Sequence, residues 1–162
     1  MLTTEQLKYW FYIKNNDLYW ANSPNNNTKK DTRAGGCGGQ GYRIVMFKGK
    51  RYLTHRVLWA LHHGEWPNGE IDHINGNPRD NRLENLRVVT HQQNCINRKK
   101  PSSNTSGFKG VIYCKKSSKY RARIKVDGTY LSLGSFLTPE EASEVYQQIA
   151  NEWFGNYKRK EY

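Results

Sequence analysis

The clearest pattern in the chain is a strict alternation in its last third. Tyr120, Ala122, Ile124 and Val126 take one side of an extended segment, and Arg121, Arg123 and Lys125 take the other. A period of two marks a strand with one buried face. Asp127-Gly128 follows as a two-residue hairpin turn. That turn sets Val126 opposite Thr129, Ile124 opposite Leu131 and Ala122 opposite Leu133, so the apolar faces coincide. Tyr130 then stands beside Lys125, and Ser132 beside Arg123, on the charged face. Phe108–Tyr113 supplies a third strand. The helix that follows is capped by Thr138, with Pro139 in first position and Glu141 completing a capping box. Ala142, Val145, Tyr146, Ile149, Ala150 and Trp153 recur at helical spacing and cover the apolar face of the sheet, and Gly155 stops the helix.

The first half carries shorter signals. Trp10–Ile13 and Leu18–Trp20 are aromatic runs split by the turn Lys14-Asn15-Asn16-Asp17, which predicts a hairpin. Asn22–Gly41 is polar and glycine-rich and reads as a loop; no Gly-Lys-Ser/Thr follows its glycine cluster, so it is a flexible turn rather than a phosphate cradle. Tyr42–Phe47 and Arg51–Leu53 form a second hairpin around Lys48-Gly49-Lys50. Thr54 caps a short helix with Val57, Leu58 and Leu61 on its apolar face, and Gly64 and Pro67 end it. Ile71-Asp72-His73 ends a strand, 75–85 is a polar loop, Leu86–Val89 is the returning strand, and Thr90 caps a helix running through Asn94. Residues 98–106 lack apolar side chains and read as a linker. The expected organisation is α+β: a first domain over 1–97, the linker over 98–106, and a three-stranded antiparallel sheet packed on one helix over 107–162.

Charge changes the picture. The 162 residues hold 26 Lys+Arg against 14 Asp+Glu, a formal charge of +12, and such an excess favours a polyanionic partner. At 36% hydrophobic and 13% aromatic the chain suits small, aromatic-rich cores better than one large core. No apolar run approaches the ~18 residues that span a bilayer. Met1-Leu2-Thr3-Thr4-Glu5 lacks the charged and apolar stretches of a signal peptide, so the expectation is a cytoplasmic protein with no membrane partner. Cys37, Cys95 and Cys114 are odd in number, far apart and free of any Cys-x-x-Cys, which argues against a disulfide framework or a structural zinc site.

The candidate chemistry lies in Ile71-Asp72-His73-Ile74-Asn75-Gly76-Asn77-Pro78, continuing through Asn81-Arg82-Leu83-Glu84-Asn85-Leu86-Arg87 to Asn94. Mg²⁺ or Mn²⁺ prefers oxygen ligands and keeps several waters. Asp72 offers a carboxylate and Asn94 an amide oxygen, which leaves room for phosphate oxygens and water. His73 fits the role of general base towards the attacking water. Asn85 could hold the other ring N–H and fix the tautomer. The plainer alternative is that these Asn and Asp residues only make turns.

On these residues the segment resembles the ββα-metal motif of the HNH endonucleases, in particular the homing and phage-encoded branch. The resemblance implies His73 as base, Asp72 and Asn94 as metal ligands, and Asn85 as the residue that positions the histidine. Asn94 stands where many relatives have His, and an oxygen ligand points to magnesium or manganese rather than zinc. The segment from Ser106 to Tyr157 resembles the AP2 DNA-binding domain, through Gly107-Phe108-Lys109-Gly110-Val111, Tyr120–Ile124, Leu133-Gly134-Ser135-Phe136 and the helix from Glu140. That family binds DNA through its sheet, which implies contacts from Lys109, Lys115, Arg121, Arg123 and Lys125. Tyr120 replaces the usual tryptophan and Ile112 a frequent arginine, so the family's sequence preference does not transfer.

The expected function is a metal-dependent endonuclease of double-stranded DNA, a monomer or weak dimer with no small-molecule substrate, working in the host cytoplasm if phage-encoded. The rival is a DNA-binding protein with a vestigial nuclease fold; an RNA-directed nuclease or binder is a third class. Nicking and double-strand cleavage stay open. His55 is either a phosphate contact or a packing residue, and Arg79 and Arg82 are either phosphate clamps or solvated. His62 and His63 read as solvated or packed at a helix end, and His91 could approach the metal helix's site.

Overall fold

The computed structural model of the protein describes residues 2–97 and 103–155. The chain divides into two compact units, Met1–Val89 and Thr90–Tyr162. Residues 98–102 of the expected linker and 156–162 of the expected second domain lie outside the described residues. Among the described residues, small antiparallel sheets and four α-helices are compatible with the α+β class. No described helix is long and apolar enough to cross a membrane.

The first unit opens on helix α1 (Thr4–Trp10), where a strand is expected from Trp10. The reason is local. Thr3 and Gln6 form a capping box, with Gln6 N–H donating to Thr3 Oγ1 at 3.2 Å and Thr3 N–H to Gln6 Oε1 at 3.1 Å. Strands β1 (Phe11–Lys14) and β2 (Asp17–Trp20) then make the expected hairpin. Asn15 and Asn16 adopt φ of 51° and 58° at its turn, a conformation Asn tolerates. The glycine-rich loop is not loose. Its short strand β3 (Gly36–Cys37) pairs with β4 (Arg43–Phe47), which pairs in turn with β5 (Lys50–Leu53). Arg43 ties loop to hairpin by two bonds to the Asp17 carboxylate, at 2.8 and 2.7 Å, and one to Gly35 O at 2.9 Å.

Helix α2 (Thr54–His63) starts directly from β5, so Leu53 is its cap and Thr54 its first helical residue. Thr54 therefore does not cap. Its hydroxyl is buried among the described residues without a partner, close to Gly35, where an added Cβ would lie 2.6 Å from Ile44 O. Gly64 ends the helix in the left-handed conformation, as expected. Leu7, Phe11, Leu18, Trp20, Val45, Phe47, Val57 and Leu58 share one core. Strands β6 (Glu70–His73) and β7 (Leu86–Val89) pair antiparallel, with Asp72 opposite Arg87 and His73 opposite Leu86.

The second unit starts at Thr90 and includes α3 (His91–Asn97), so the first unit ends at Val89, eight residues short of the expected 97. Thr90 caps it reciprocally with Gln93, at 3.3 and 2.9 Å. Ile96 joins the core formed by β8 (Val111–Cys114), β9 (Lys119–Val126), β10 (Thr129–Phe136) and α4 (Pro139–Phe154), which is why α3 groups with this unit. The sheet order is β10-β9-β8. Val126–Thr129 and Ile124–Leu131 pair as expected, but an irregularity between Ser132 and Gly134 sets Gly134, not Leu133, opposite Ala122. Only the Thr138 half of the expected capping box forms, with Glu141 N–H donating at 3.3 Å. Along α4, Trp153 is exposed and Phe154 takes the buried place. Gly110 has φ of 74° and an added Cβ would lie 2.2 Å from the Tyr146 ring, so a glycine there lets α4 close on the sheet.

Candidate functional site

The β6–β7 hairpin builds the site in the first unit. Its loop, 74–85, is braced in large part by asparagine side chains. Asn75 and Asn77 each bond a backbone N–H two residues on, to Asn77 at 2.8 Å and Arg79 at 3.1 Å, making successive side-chain turns. Asn85 is the centre of the network. Its Oδ1 accepts from Asn75 N–H at 3.0 Å, and its Nδ2 donates to Asp80 O at 2.8 Å and Asn75 Oδ1 at 3.1 Å. Its backbone carbonyl accepts from Ile74 N–H at 2.9 Å. Asn85 thus braces the loop rather than the histidine ring, which corrects the contact expected from sequence.

The ring is met by Asn81 instead. His73 Nε2 lies 2.9 Å from Asn81 Oδ1, and both residues are buried. Nothing in the sequence separates Asn81 from the other asparagines of the loop; only the fold does. The His73 ring also sits 5.0 Å edge-on from His55 and 6.0 Å from Tyr42, with Tyr42 and His55 at 5.5 Å. His55 is buried, and its Nδ1 has no hydrogen-bond partner among the described residues. Burial pushes this imidazole down to about 3, with the charges of His73 and Arg56 adding to the effect. His55 is therefore a neutral ring packed against His73, which favours the packing role over a cationic phosphate contact.

Asp72 is buried and ion-paired across the hairpin. Arg87 Nε and Nη2 both approach its Oδ2, at 2.9 and 2.8 Å. The cross-strand register makes this pair, and the sequence reading did not include Arg87. Arg82 is committed as well, to Asp80 at 2.9 and 3.0 Å and to Glu84 at 2.9 Å. Its guanidinium holds the Asp80 carboxyl down at about 2. A phosphate clamp from Arg82 would have to break these bonds.

The structure brings Asp72, His73 and Asn85 together with Asn81 in the first unit; Asn94 lies on α3 in the second. Among the described residues no three His, Cys, Asp or Glu side chains form a metal-holding group. His91 lies along α3 with Nε2 3.6 Å from Cys95 Sγ, and His63 stacks on Trp59 at 3.9 Å.

In the second unit the outer sheet face carries Arg121, Arg123 and Lys125, none of them in an ion pair among the described residues. The Arg123 guanidinium lies 4.3 Å over the Tyr130 ring, and Lys125 Nζ 5.6 Å from it. Lys115 is exposed in the β8–β9 turn. Lys109 departs from the expected set: its ammonium donates to the Ile96 and Cys95 carbonyls at the end of α3, where a helix terminus leaves acceptors unsatisfied.

A profile of the family described as HNH endonuclease matches residues 52–95, which contain α2 and the β6–β7 hairpin. The chain is 40% identical over 106 residues to Protein 3.8 of Escherichia phage T7, covering 65% of this chain and 87% of that protein. The chain belongs to the HNH endonuclease family. This HNH protein is also 33% identical over 121 residues to an uncharacterized HNH endonuclease of Acanthamoeba polyphaga mimivirus, covering 74% of this chain and 62% of that protein. No solved structure matches it. The family supports a nuclease, with DNA as its substrate.

Proposed function

We propose that this HNH protein is a metal-dependent endonuclease of double-stranded DNA. In this reading His73 is the general base, a divalent ion (Mg²⁺ or Mn²⁺) is held by Asp72 and Asn94, and an AP2-like sheet carrying Lys115, Arg121, Arg123 and Lys125 targets the DNA. The observation that carries it is the Asp72-His73 pair at the end of β6, both buried and each fixed by a side chain of the same hairpin. Pre-positioning of this kind is what proton abstraction from a bound water requires.

His73 takes the proton of the attacking water and holds it as an imidazolium while the phosphodiester bond opens. Asn85 keeps the loop after His73 in one shape, so the base cannot swing away from the phosphate. Arg87 Nε and Nη2 both bind Asp72 Oδ2, which orients the carboxylate. When bound, the ion supplies positive charge to polarise the phosphoryl oxygen and stabilise the leaving oxygen. The sheet adds effective concentration of the nuclease on its substrate. With one motif per chain a monomer cuts one strand, and a weak dimer would cut two. The host cytoplasm is the expected place of action. Lys109, bound to α3, is the weakest member of the expected DNA-contact set.

One observation favours the rival, a non-catalytic DNA-binding protein with a vestigial nuclease fold. The Asp72–Arg87 ion pair is also what a purely structural carboxylate would make. Incubating the protein with supercoiled phage-derived plasmid and Mg²⁺ or Mn²⁺, beside EDTA and His73→Ala, separates the two. The nuclease reading expects nicked or linear product with metal, none with EDTA, and a loss of at least about a hundredfold in the variant. Binding without cleavage across a library of targets would establish the rival.

A further inference from the structure

We infer that Asn81 is the positioning residue of His73, and that it fixes the imidazole with its hydrogen on Nε2 and its lone pair on Nδ1. The inference rests on the reading of His73 as general base for its catalytic meaning, but its geometry stands apart from that reading. Asn81 Oδ1 lies 2.9 Å from His73 Nε2, with both residues buried. An amide oxygen only accepts, so the ring nitrogen facing it must be the N–H. A neutral imidazole has a single N–H, and the base nitrogen is then Nδ1.

Asn85 cannot substitute, because both ends of its amide are spent on Asn75 and Asp80. It acts one step removed. Its Nδ2 holds the carbonyl of Asp80, the residue that precedes Asn81 in the chain, and so fixes where Asn81 stands. The hairpin thereby divides the work: one asparagine shapes the loop and another selects the tautomer. A reversed amide, with Nδ2 facing the ring, would demand the opposite tautomer, so the assignment of the ring proton decides the question.

The test uses the full chain with ¹⁵N-labelled histidine, without metal or DNA, at a pH where the imidazole is neutral. Long-range ¹H–¹⁵N correlations report the tautomer of His73 directly. The expected result is the Nε2–H form in the wild type and in Asn81→Asp, whose carboxylate also accepts from Nε2–H. Asn81→Ala is expected to relax from this single form to the tautomer mixture of an unrestrained imidazole, with Nδ1–H becoming detectable beside Nε2–H. Its cleavage should fall roughly tenfold to a hundredfold, as for other orienting partners, with duplex affinity unchanged. An Nδ1–H form in the wild type overturns the inference even if every variant fails to fold. An unchanged tautomer in a folded Asn81→Ala overturns it as well. Failure of the base reading registers elsewhere, as cleavage retained by His73→Ala, and leaves the tautomer result standing.

Discussion

The β6–β7 hairpin and the outer face of the β8–β10 sheet use polar residues in opposite ways. In the hairpin almost every functional side chain is bound to another: His73 to Asn81, Asp72 to Arg87, Asn85 to Asn75 and Asp80. On the sheet Arg121, Arg123 and Lys125 make no ion pair among the described residues, and Arg123 and Lys125 flank the Tyr130 ring. A buried polar group must find its partner within the protein, whereas an exposed cation keeps its water until a polyanion displaces it. The first arrangement suits chemistry that needs fixed atoms, and the second suits binding to an irregular, charged backbone.

The largest break in this comparison is expected at the hairpin. Asn85→Ala removes three side-chain hydrogen bonds made by a buried residue and should cost about 2–4 kcal/mol of stability in the first unit. Cleavage should fall with it, while the sheet keeps its affinity for duplex. Chemical denaturation and a gel shift on the same preparation check both halves; wild-type stability would remove Asn85 from its bracing role.

His55 sharpens the point through pH. Its folded pKa, about 3, lies below the unfolded value near 6.5, so the unfolded chain binds the extra proton first. Its contribution to stability is complete above pH 6.5 and is lost progressively as pH falls towards 3. By pH 5 the loss amounts to about 2 kcal/mol. His55→Phe, which keeps a ring against His73 but cannot titrate, should flatten that part of the profile. A wild type equally stable at pH 7 and pH 5 would contradict it.

The smallest effect belongs to the sheet. Arg121→Ala with Arg123→Ala should weaken duplex binding and reduce the slope of log affinity against log salt by about 1.8, if each guanidinium neutralises one phosphate. Stability should change little, because neither cation makes an ion pair among the described residues and the Tyr130 ring under Arg123 is exposed. An unaltered salt slope would take this face out of the interface.

Much of this was legible in the sequence, for reasons tied to particular residues. Asp127-Gly128 set the β9–β10 register near the turn, and the Tyr120–Val126 alternation told the buried face from the basic one. Ile71-Asp72-His73 and Leu86–Val89 were readable as strands because the polar loop between them is rich in turn-forming asparagine. What escaped were partners chosen by tertiary placement. Asn81 rather than Asn85 reaches the ring, since spacing alone does not say which asparagine turns inward. Arg87 meets Asp72 only through the strand register, and Lys109 turns to α3 because that helix joins the second unit's core. Helix α1 escaped as well: the Thr3–Gln6 capping box outweighs the pull of the aromatic run that follows it.

The central claim is that the buried His73 performs the chemistry while the basic sheet only binds. The most direct measurement is single-turnover cleavage of a labelled duplex, at saturating protein with Mg²⁺ or Mn²⁺, by the wild type and His73→Ala, with the affinity of each measured alongside. The account predicts a cleavage rate lower by at least about a hundredfold in the variant, at equal affinity. Equal cleavage rates in the two proteins would contradict it.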